Sequence, residues 1–416
     1  MKTNCLALGL LLLCASAHAL QTLNPPGLLP TEIARPLLEQ DPSVAAARAG
    51  LEVALREARL LDGSPYEWTA RANTQERELS GGPHYGEWSA GIERTIRLPA
   101  KATADRNLGA ATIEASEAAY GEALHESARH LLALWLDWQA AERASELTAD
   151  NLKAAEDSLA AVDKRVRAGD AATLDSSIAT ADMAEQKRLH NDALTQASSA
   201  WARLSTRFPG INRQVVTLPN PVLVDDDVES LRHRILAQSD ELKIVESALK
   251  LSQFRAARAD AERIPDPTVG VHAGWESAGR ERVAGVSFSI PIAGVARAQN
   301  RERALAAIQV SLQDLELKKR EIDAEIAAAV ASARGAYASM RLAQEGAQAA
   351  RNNASLMQRA YSLGEAELQT LLLTRRQETT AKSAVLMAQV TALKAYFGLL
   401  LDAHLIWDLN HDQSQE

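Results

Sequence analysis

Two stretches of this sequence keep one side-chain period for more than fifty residues each, and this feature constrains the fold most strongly. Alternating steps of four and three residues run from Ile308 to Tyr361, and only one of these sixteen positions, Lys319, is charged. The same steps taken 195 residues earlier run from Ile113 to Val166. A sustained period of about 3.5 residues indicates helices packed as coiled coils. A helix from Lys101 to Ala168 would be roughly 100 Å long, far longer than a globular domain needs.

Each long helical pattern stops at a glycine and then resumes. The segment RVRAGDAATLDSSIA contains Gly169, and the segment RAYSLGEAELQTLLL contains Gly364. Glycine adopts the left-handed conformation that ends a helix at little steric cost. The pattern predicts that partner helices, Ala171 to Arg207 and Ala366 to Ala403, fold back beside the long ones. The sequence therefore predicts two antiparallel helical hairpins.

The two halves of the chain match in order: a shorter helix, two strands, a very long helix, a glycine turn and a second long helix. The shorter helices are predicted from Asp41 to Leu61 and from Asp240 to Arg263. The predicted boundaries are residues 1–19 for a signal peptide, 20–213 for the first repeat, 214–238 for a linker, 239–403 for the second repeat and 404–416 for a C-terminal tail.

The first nineteen residues have the pattern of a secretory signal, with Lys2, an apolar run and a small-residue cleavage site. Both cysteines, Cys5 and Cys14, lie in this segment, so a mature chain beginning at Leu20 has no thiol for a disulfide or a metal. Lipid attachment at Cys14 remains an open alternative, although Leu13 is not the small residue that it requires. The net charge of −9 argues against nucleic acid as a partner.

Four short segments alternate apolar and polar residues, as β-strands with two different faces do. They are predicted at Tyr66 to Glu78, Glu87 to Leu98, residues 269–275 and residues 284–292. Their length suits a tilted strand that crosses a bilayer. On this interpretation three aromatic residues lie at the membrane interface and three polar residues face a lumen. The interface residues are Trp68, Trp88 and Trp275, and the lumen candidates are Arg71, Glu93 and His272.

An alternative interpretation places the same strands as two hairpins on a soluble helical layer. Four strands are too few to close a barrel, so a single chain would keep exposed sheet edges. Three copies supply twelve strands and remove those edges. The sequence therefore favours the membrane interpretation, with the soluble one left open.

The ordered halves resemble the TolC-like outer membrane efflux protein family over nearly the whole mature chain. The resemblance is carried by Ile96-Arg97-Leu98-Pro99 and Ser289-Ile290-Pro291-Ile292, which lead straight into long helices, and by the Gly169-Asp170 and Gly364-Glu365 turns. The segment GEAELQTLLLTRRQ is similar to the branch associated with heavy-metal cation export.

This resemblance implies a mainly helical, duplicated fold with a small transmembrane β part. Three chains would form a twelve-stranded barrel in outer membrane lipid, continued by a twelve-helix coiled-coil tunnel across the periplasm. The implied partners are a periplasmic membrane-fusion adaptor and an inner-membrane efflux pump of the RND type. The implied docking tips are Gly169, Asp170, Gly364 and Glu365.

Family members often carry acidic rings at the periplasmic aperture, six residues after each turn glycine and again nine residues after the second. Asp175 fits the first of these positions, whereas Thr370 and Leu373 occupy the two in the second half. The acidic aperture is therefore only partly present. Acids near the tips can attract cationic cargo or contact an adaptor, but they also stabilise the first turn of a helix, and both interpretations remain open.

No motif in the sequence indicates an enzyme or a cofactor. His125-Glu126 and His130 resemble a zinc-binding helix motif that is one residue too long, so a metal site is not expected there. His404 and His411 are expected to be ordinary surface residues. The leading hypothesis is an outer membrane conduit of a tripartite exporter. The alternatives are a periplasmic coiled-coil scaffold or adaptor, and a type I secretion or drug-export duct of the same fold.

Overall fold

The structure is a computed structural model that describes residues 23–78, 80–224 and 228–409. The predicted signal peptide and His411 lie outside the described residues. In the first half, helix α1 spans Thr31–Glu39, α2 Pro42–Asp62, β1 Trp68–Glu78, β2 His84–Thr95, α3 Pro99–Arg167 and α4 Thr173–Arg207. In the second half, α5 spans Val228–Gln238, α6 Asp240–Ala261, β3 Thr268–Glu276, β4 Glu281–Ser289, α7 Val295–Ser362 and α8 Leu368–Asp402.

The helix boundaries follow local capping chemistry in both halves. Asp41 caps α2 by accepting a hydrogen bond from the Ser43 amide at 2.9 Å, and Pro42 occupies the first helical position. Ser239 caps α6 in the same way through the Leu242 amide at 3.1 Å. The long helix α3 begins at Pro99, directly after a strand. Both shorter helices therefore begin at a side-chain cap.

The predicted coiled-coil seam is confirmed. Helices α3 and α4 pack side by side as one hairpin, and α7 and α8 pack as the other. Every seam position from Ile113 to Val166 and from Ile308 to Tyr361 is buried or half-buried. Lys319 keeps its place in the seam, where its amine lies 3.8 Å from Glu316. The period of the sequence therefore identified the packed face of both long helices.

The four strands form one antiparallel sheet in the order β1-β2-β3-β4. Strand β2 leads directly into α3, and β4 is followed by α7. The β1–β2 and β3–β4 hairpins come from different repeats and are joined through β2 and β3. The duplication seen in the sequence therefore becomes one continuous sheet.

A compact core surrounds the middle of α3. Trp135 and Trp138 are almost fully buried there, and Trp407 from the end of the chain joins them. The Trp407 indole donates to the Leu29 carbonyl at 2.8 Å, and the Trp135 indole donates to the Gly27 carbonyl at 2.8 Å. The start of the predicted C-terminal tail is thus part of the core. Helix α1 was not predicted, and α5 lies within the segment predicted as a linker.

Among the described residues, helix α8 has the length and composition that would allow it to cross a membrane. About a third of its apolar window is buried, and α8 packs along α7 and α3. A core helix of a bundle has the same properties. These two neighbours cover part of its apolar surface.

Candidate functional site

Midway along the strands, one face of the sheet carries no charged side chain. Because directly paired residues of an antiparallel sheet share a face, the registers define four rows of side chains across the strands. The two middle rows contain only alanine, valine and isoleucine. They are Ala70, Ile92, Val271 and Val286 in one row, and Ala72, Ala90, Ala273 and Ala284 in the next. Val286 is 73% exposed in the single chain, so this face lacks a protein partner there.

Aromatic and cationic side chains border this apolar face at both ends. Trp68 lies in the row nearest the helices, with the Arg94 guanidinium 5.6 Å from the centre of its ring. Trp88 and Trp275 lie in the row farthest from the helices and stack with ring centroids 4.3 Å apart. Arg282 is paired with Trp275 in that row. Aromatic and arginine side chains at both borders are typical of a membrane interface.

The opposite face of the sheet is polar. Arg71 and Glu93 form an ion pair of 2.6 Å on this face. His272 lies beside them, and its ring covers Gly285 so closely that a Cβ there would meet the ring at 2.8 Å. The three predicted lumen residues therefore share one face, opposite the three predicted interface tryptophans. Their role in a lumen remains a prediction.

The outer edges of the sheet are unpaired within the described chain. Strand β1 pairs only with β2, and β4 pairs only with β3. Unpaired edge strands offer backbone hydrogen-bonding groups to another chain. The edges are therefore available for pairing between copies of the protein.

Where the strands meet the helices, a buried ion pair fixes the sheet to the helical part. The Lys101 amine lies 2.9 Å from Asp266, and both side chains are almost fully buried. Asp266 also accepts hydrogen bonds from the Tyr66 hydroxyl at 2.7 Å and from the Leu98 amide at 3.0 Å. Burial alone would raise the pKa of Asp266, but these hydrogen bonds and Lys101 together hold the pKa below its usual 3.8.

At the other end of the molecule, both glycine turns have the conformation that the sequence predicts. Gly169 and Gly364 have φ of 81° and 80°, in the left-handed region. After Gly169, the Asp170 amide donates to the Arg165 carbonyl at 2.8 Å, and the Glu365 amide makes the equivalent bond at 2.9 Å. This pattern is the Schellman motif, which satisfies the last carbonyls of a helix.

The two hairpin tips are held against each other by side chains that sequence reasoning missed. Arg165 donates to the Tyr361 hydroxyl at 3.0 Å, and Arg376 pairs with Asp182 at 2.8 Å. The partners lie 196 and 194 positions apart, close to one repeat length. Because residues one repeat length apart occupy equivalent positions in the two hairpins, these separations could have indicated both contacts from the sequence. A small apolar cluster fills the space between the tips and consists of Val162, Ala179, Leu368, Leu371 and Leu372.

The aperture candidates lie near these tips. Asp175 is half-buried in the first turn of α4, whereas Thr370 and Leu373 are exposed on α8. Asp170 and Glu365 are exposed at the turns themselves. Their docking and aperture roles remain predictions.

The histidines do not form a metal site among the described residues, which contain no group of three acidic, histidine or cysteine side chains arranged to hold a metal ion. His130 pairs instead with Glu126 at 3.2 Å. The expectation that His404 is a surface residue was wrong. His404 is 6% exposed because the chain turns inward after α8, and its ring faces His125 at 5.3 Å.

The sequence matches one protein family. Residues 34–207 match the family described as Outer membrane efflux protein. A sequence search of curated proteins found no match.

Solved structures share the fold at low sequence identity. A membrane protein from Pseudomonas aeruginosa superposes with a TM-score of 0.77 at 18% identity, covering 96% of this chain and 98% of that one. The CmeC outer membrane channel of Campylobacter jejuni gives 0.72 at 14%, covering 92% and 86%. The open state of the Neisseria gonorrhoeae MtrE outer membrane channel gives 0.69 at 18%, covering 92% and 90%. Residues 34–207 therefore resemble the outer membrane efflux protein family, and nearly the whole chain has the fold of these solved outer membrane channels.

Proposed function

We propose that three copies of this chain close a twelve-stranded barrel in the outer membrane and continue as a tunnel of twelve helices across the periplasm. The observation that carries this proposal is the sheet, which has a charge-free face at mid-height, a charged opposite face and two unpaired edges. Strand β1 of one copy pairs with β4 of the next. Lipid then covers the apolar face, and water fills the lumen lined by Arg71, Glu93 and His272.

The helical part supports the same assembly. Helix α7 packs on α8, α6 and α5 and leaves large apolar side chains exposed. Leu317, Leu342 and Leu356 are 57%, 67% and 70% exposed in the single chain. A neighbouring copy packed along α7 would bury these three side chains.

The tips are the proposed docking site for a periplasmic adaptor, which connects the tunnel to an inner-membrane pump. Leu174 and Leu363 are 66% and 65% exposed next to the two turns. The Arg165–Tyr361 and Arg376–Asp182 contacts hold the two hairpins of one chain together. Opening the tunnel at this end requires the hairpins to separate, so these contacts favour the closed tip.

The proposed cargo is cationic and includes heavy-metal ions. The support is the resemblance of residues 364–377 to the heavy-metal branch and the acids near the tips, Asp170, Asp175, Glu365 and Glu367. Acidic side chains along a pore favour cations. Growth of a deletion strain across metal salts, dyes and antibiotics tests this assignment. Sensitivity to metal salts alone supports it, whereas sensitivity to antibiotics and dyes alone assigns the conduit to drug export.

Fractionation tests the conduit itself. The protein is expected to stay with membranes after carbonate washing and to have the mass of three chains in mild detergent. Release by carbonate together with a monomer mass would contradict the proposal and favour the periplasmic scaffold.

A further inference from the structure

A cavity of about 390 Å³ lies where the first repeat meets the second, between α3, α5, α6, α7 and α8. Glu122 of α3 lines it, some 45 residues or roughly 70 Å along the helix from the tip. The cavity is therefore separate from the tips and from the sheet. Its titratable and charged lining residues are Glu122, His125, Arg129, Glu241, Glu325 and Asp402.

Two polar atoms in this cavity are shielded from solvent and form no hydrogen bond with the described residues. They are Oε2 of Glu122 and Nε2 of His125. His125 is 5% exposed, and its Nε2 lies 3.4 Å from Oδ1 of Asp402. A buried polar group without a hydrogen bond destabilises the folded chain. A proton on Glu122 turns one of its carboxylate oxygens from an acceptor into a donor, and Glu241, Glu325 and Asp402 line the same cavity.

The fixed cations around the cavity already have other partners. Arg129 pairs with Asp402 at 3.2 Å and with Glu241 at 3.5 Å. Lys318 of α7 pairs with Glu241 at 3.4 Å. Among the acids that line the cavity, Glu122 and Glu325 form no salt bridge within the described parts of the chain, and only Glu122 has a carboxylate oxygen that is shielded from solvent without a hydrogen bond.

The remaining elements add further charge around the cavity. On α6, Asp240 is held by Lys243 at 2.8 Å and lies 3.8 Å from His404, which follows α8. Arg234 of α5 donates to the Ala403 carbonyl. On α3, Glu126 is exposed on the same helix as Glu122. Among the residues that line the cavity itself, four are acids and Arg129 carries the fixed positive charge.

We propose that Glu122 and this cavity form a proton-binding site that stabilises the junction between the two repeats, where α3 packs against the start of α6 and the end of α8. With the proton bound, Glu122 donates a hydrogen bond across the cavity and α3 stays joined to the start of α6 and the end of α8. Without it, a bare carboxylate faces Glu241 and Asp402, and the junction loosens. The site binds a proton and requires no other ligand.

The direction of the pH effect follows from the environment of Glu122. Burial raises the pKa of Glu122 from 4.5 to about 7. His125 makes a smaller contribution that lowers this pKa, and Glu241 makes one that raises it. The folded chain therefore holds this proton more tightly than the unfolded chain does. The stabilisation is fully present below about pH 4.5 and is lost as the pH rises through about 7.

Infrared difference spectroscopy on the full-length protein in detergent tests the proton site. The carbonyl stretch of a protonated carboxyl is expected to titrate near pH 7 in the wild type, to be absent from that range in Glu122→Gln, and to persist in the control Glu126→Gln. No such titration in the wild type, or an unchanged titration in Glu122→Gln, would overturn the assignment.

Hydrogen exchange of the wild-type protein at two pH values tests the coupling to the junction. After correction for the intrinsic pH dependence of exchange, peptides from the start of α6 and the end of α8 are expected to exchange several-fold faster at pH 8 than at pH 6. In Glu122→Gln the neutral amide replaces the protonated acid, so this difference should disappear. Equal wild-type protection at the two pH values would refute the proposal.

Discussion

Placing an arginine on the apolar face of the sheet tests whether lipid covers that face. Ala72 and Asn73 are neighbours on β1, and both are exposed in the single chain. Ala72 lies in a middle row of the apolar face, whereas Asn73 lies on the polar face. Ala72→Arg and Asn73→Arg therefore place the same charge at neighbouring positions on opposite faces of the sheet.

The expected loss in the free energy of unfolding depends on how close Ala72 lies to the centre of the bilayer. The apolar face has four rows, and its midpoint falls between the rows of Ala70 and Ala72, so Ala72 is roughly 3 Å along the strand from the centre. An arginine on the lipid face near the bilayer midplane costs about 2–4 kcal/mol per chain. This corresponds to a ~30- to ~1,000-fold change in the folding equilibrium. Asn73→Arg places its charge in hydrated space and should change stability by less than about 0.5 kcal/mol.

The assay is denaturant unfolding of the protein reconstituted in phospholipid vesicles, with linear extrapolation to zero denaturant. Ala72→Arg should lower the free energy of unfolding by the amount above, and Asn73→Arg should not. Equal losses in both variants would show that the arginine disturbs the strand itself. No loss in either variant would show that this face lies in water, which would contradict the membrane placement.

Three further predictions concern the tips and the strand–helix junction. Asp182→Asn removes the acidic partner of Arg376, whose side chain is half exposed. This substitution should favour the open tip by about 1 kcal/mol per chain and raise the open probability in planar bilayers. Asp192→Asn, which removes a partner of Arg188 within α4, is the control and should leave gating unchanged. Gly364→Ala places a Cβ on a residue with φ 80° and should lower the free energy of unfolding by about 1–2 kcal/mol. The control Gly346→Ala lies inside α7, where a Cβ meets nothing within 4 Å, and should raise the free energy of unfolding by about 0.5–1 kcal/mol. Lys101→Met leaves Asp266 buried without its cation and should lower the free energy of unfolding by about 3–5 kcal/mol at pH 7. The control Lys394→Met removes one partner of a more exposed ion pair and should lower it by less than about 1 kcal/mol. Because the pKa of Asp266 is lowered in the folded chain, its stabilising contribution is present above pH 3.8 and lost as the pH falls below it, so the Lys101→Met loss should shrink in acid. Thermal or denaturant unfolding of each variant checks the last two predictions.

The features that could be predicted from the sequence are those with a strong local signal. The seam residues repeat every three or four positions, so the packed faces of α3 and α7 could be predicted before any contact was known. Gly169 and Gly364 interrupt that pattern, and the left-handed turn is the conformation that glycine allows most easily. The strand alternation identified the two faces of the sheet because side-chain direction has a period of two.

The contacts that sequence reasoning missed join residues that are distant in the chain. Lys101 meets Asp266, and Glu122 faces Asp402, across separations that no periodicity encodes. His404 was expected at the surface because a histidine just beyond a helix end is usually solvated. It is buried because the chain turns inward to place Trp407 in the core. Helix α5 escaped prediction because an eleven-residue helix gives too short a pattern to separate from a loop.

Disulfide trapping between the two edge strands tests the central claim most directly. Strands β1 and β4 lie three strand spacings apart within one chain, about 14 Å, which is too far for a disulfide. Cysteines scanned along both edges, beginning with Ala72→Cys and Ala284→Cys, can therefore bond only between copies, and residues 20–416 contain no native cysteine to compete. The closed twelve-stranded barrel predicts a covalent ladder of one, two and three chains that ends at three on a non-reducing gel. Monomers alone across the whole scan, or a ladder that continues past three, would contradict it.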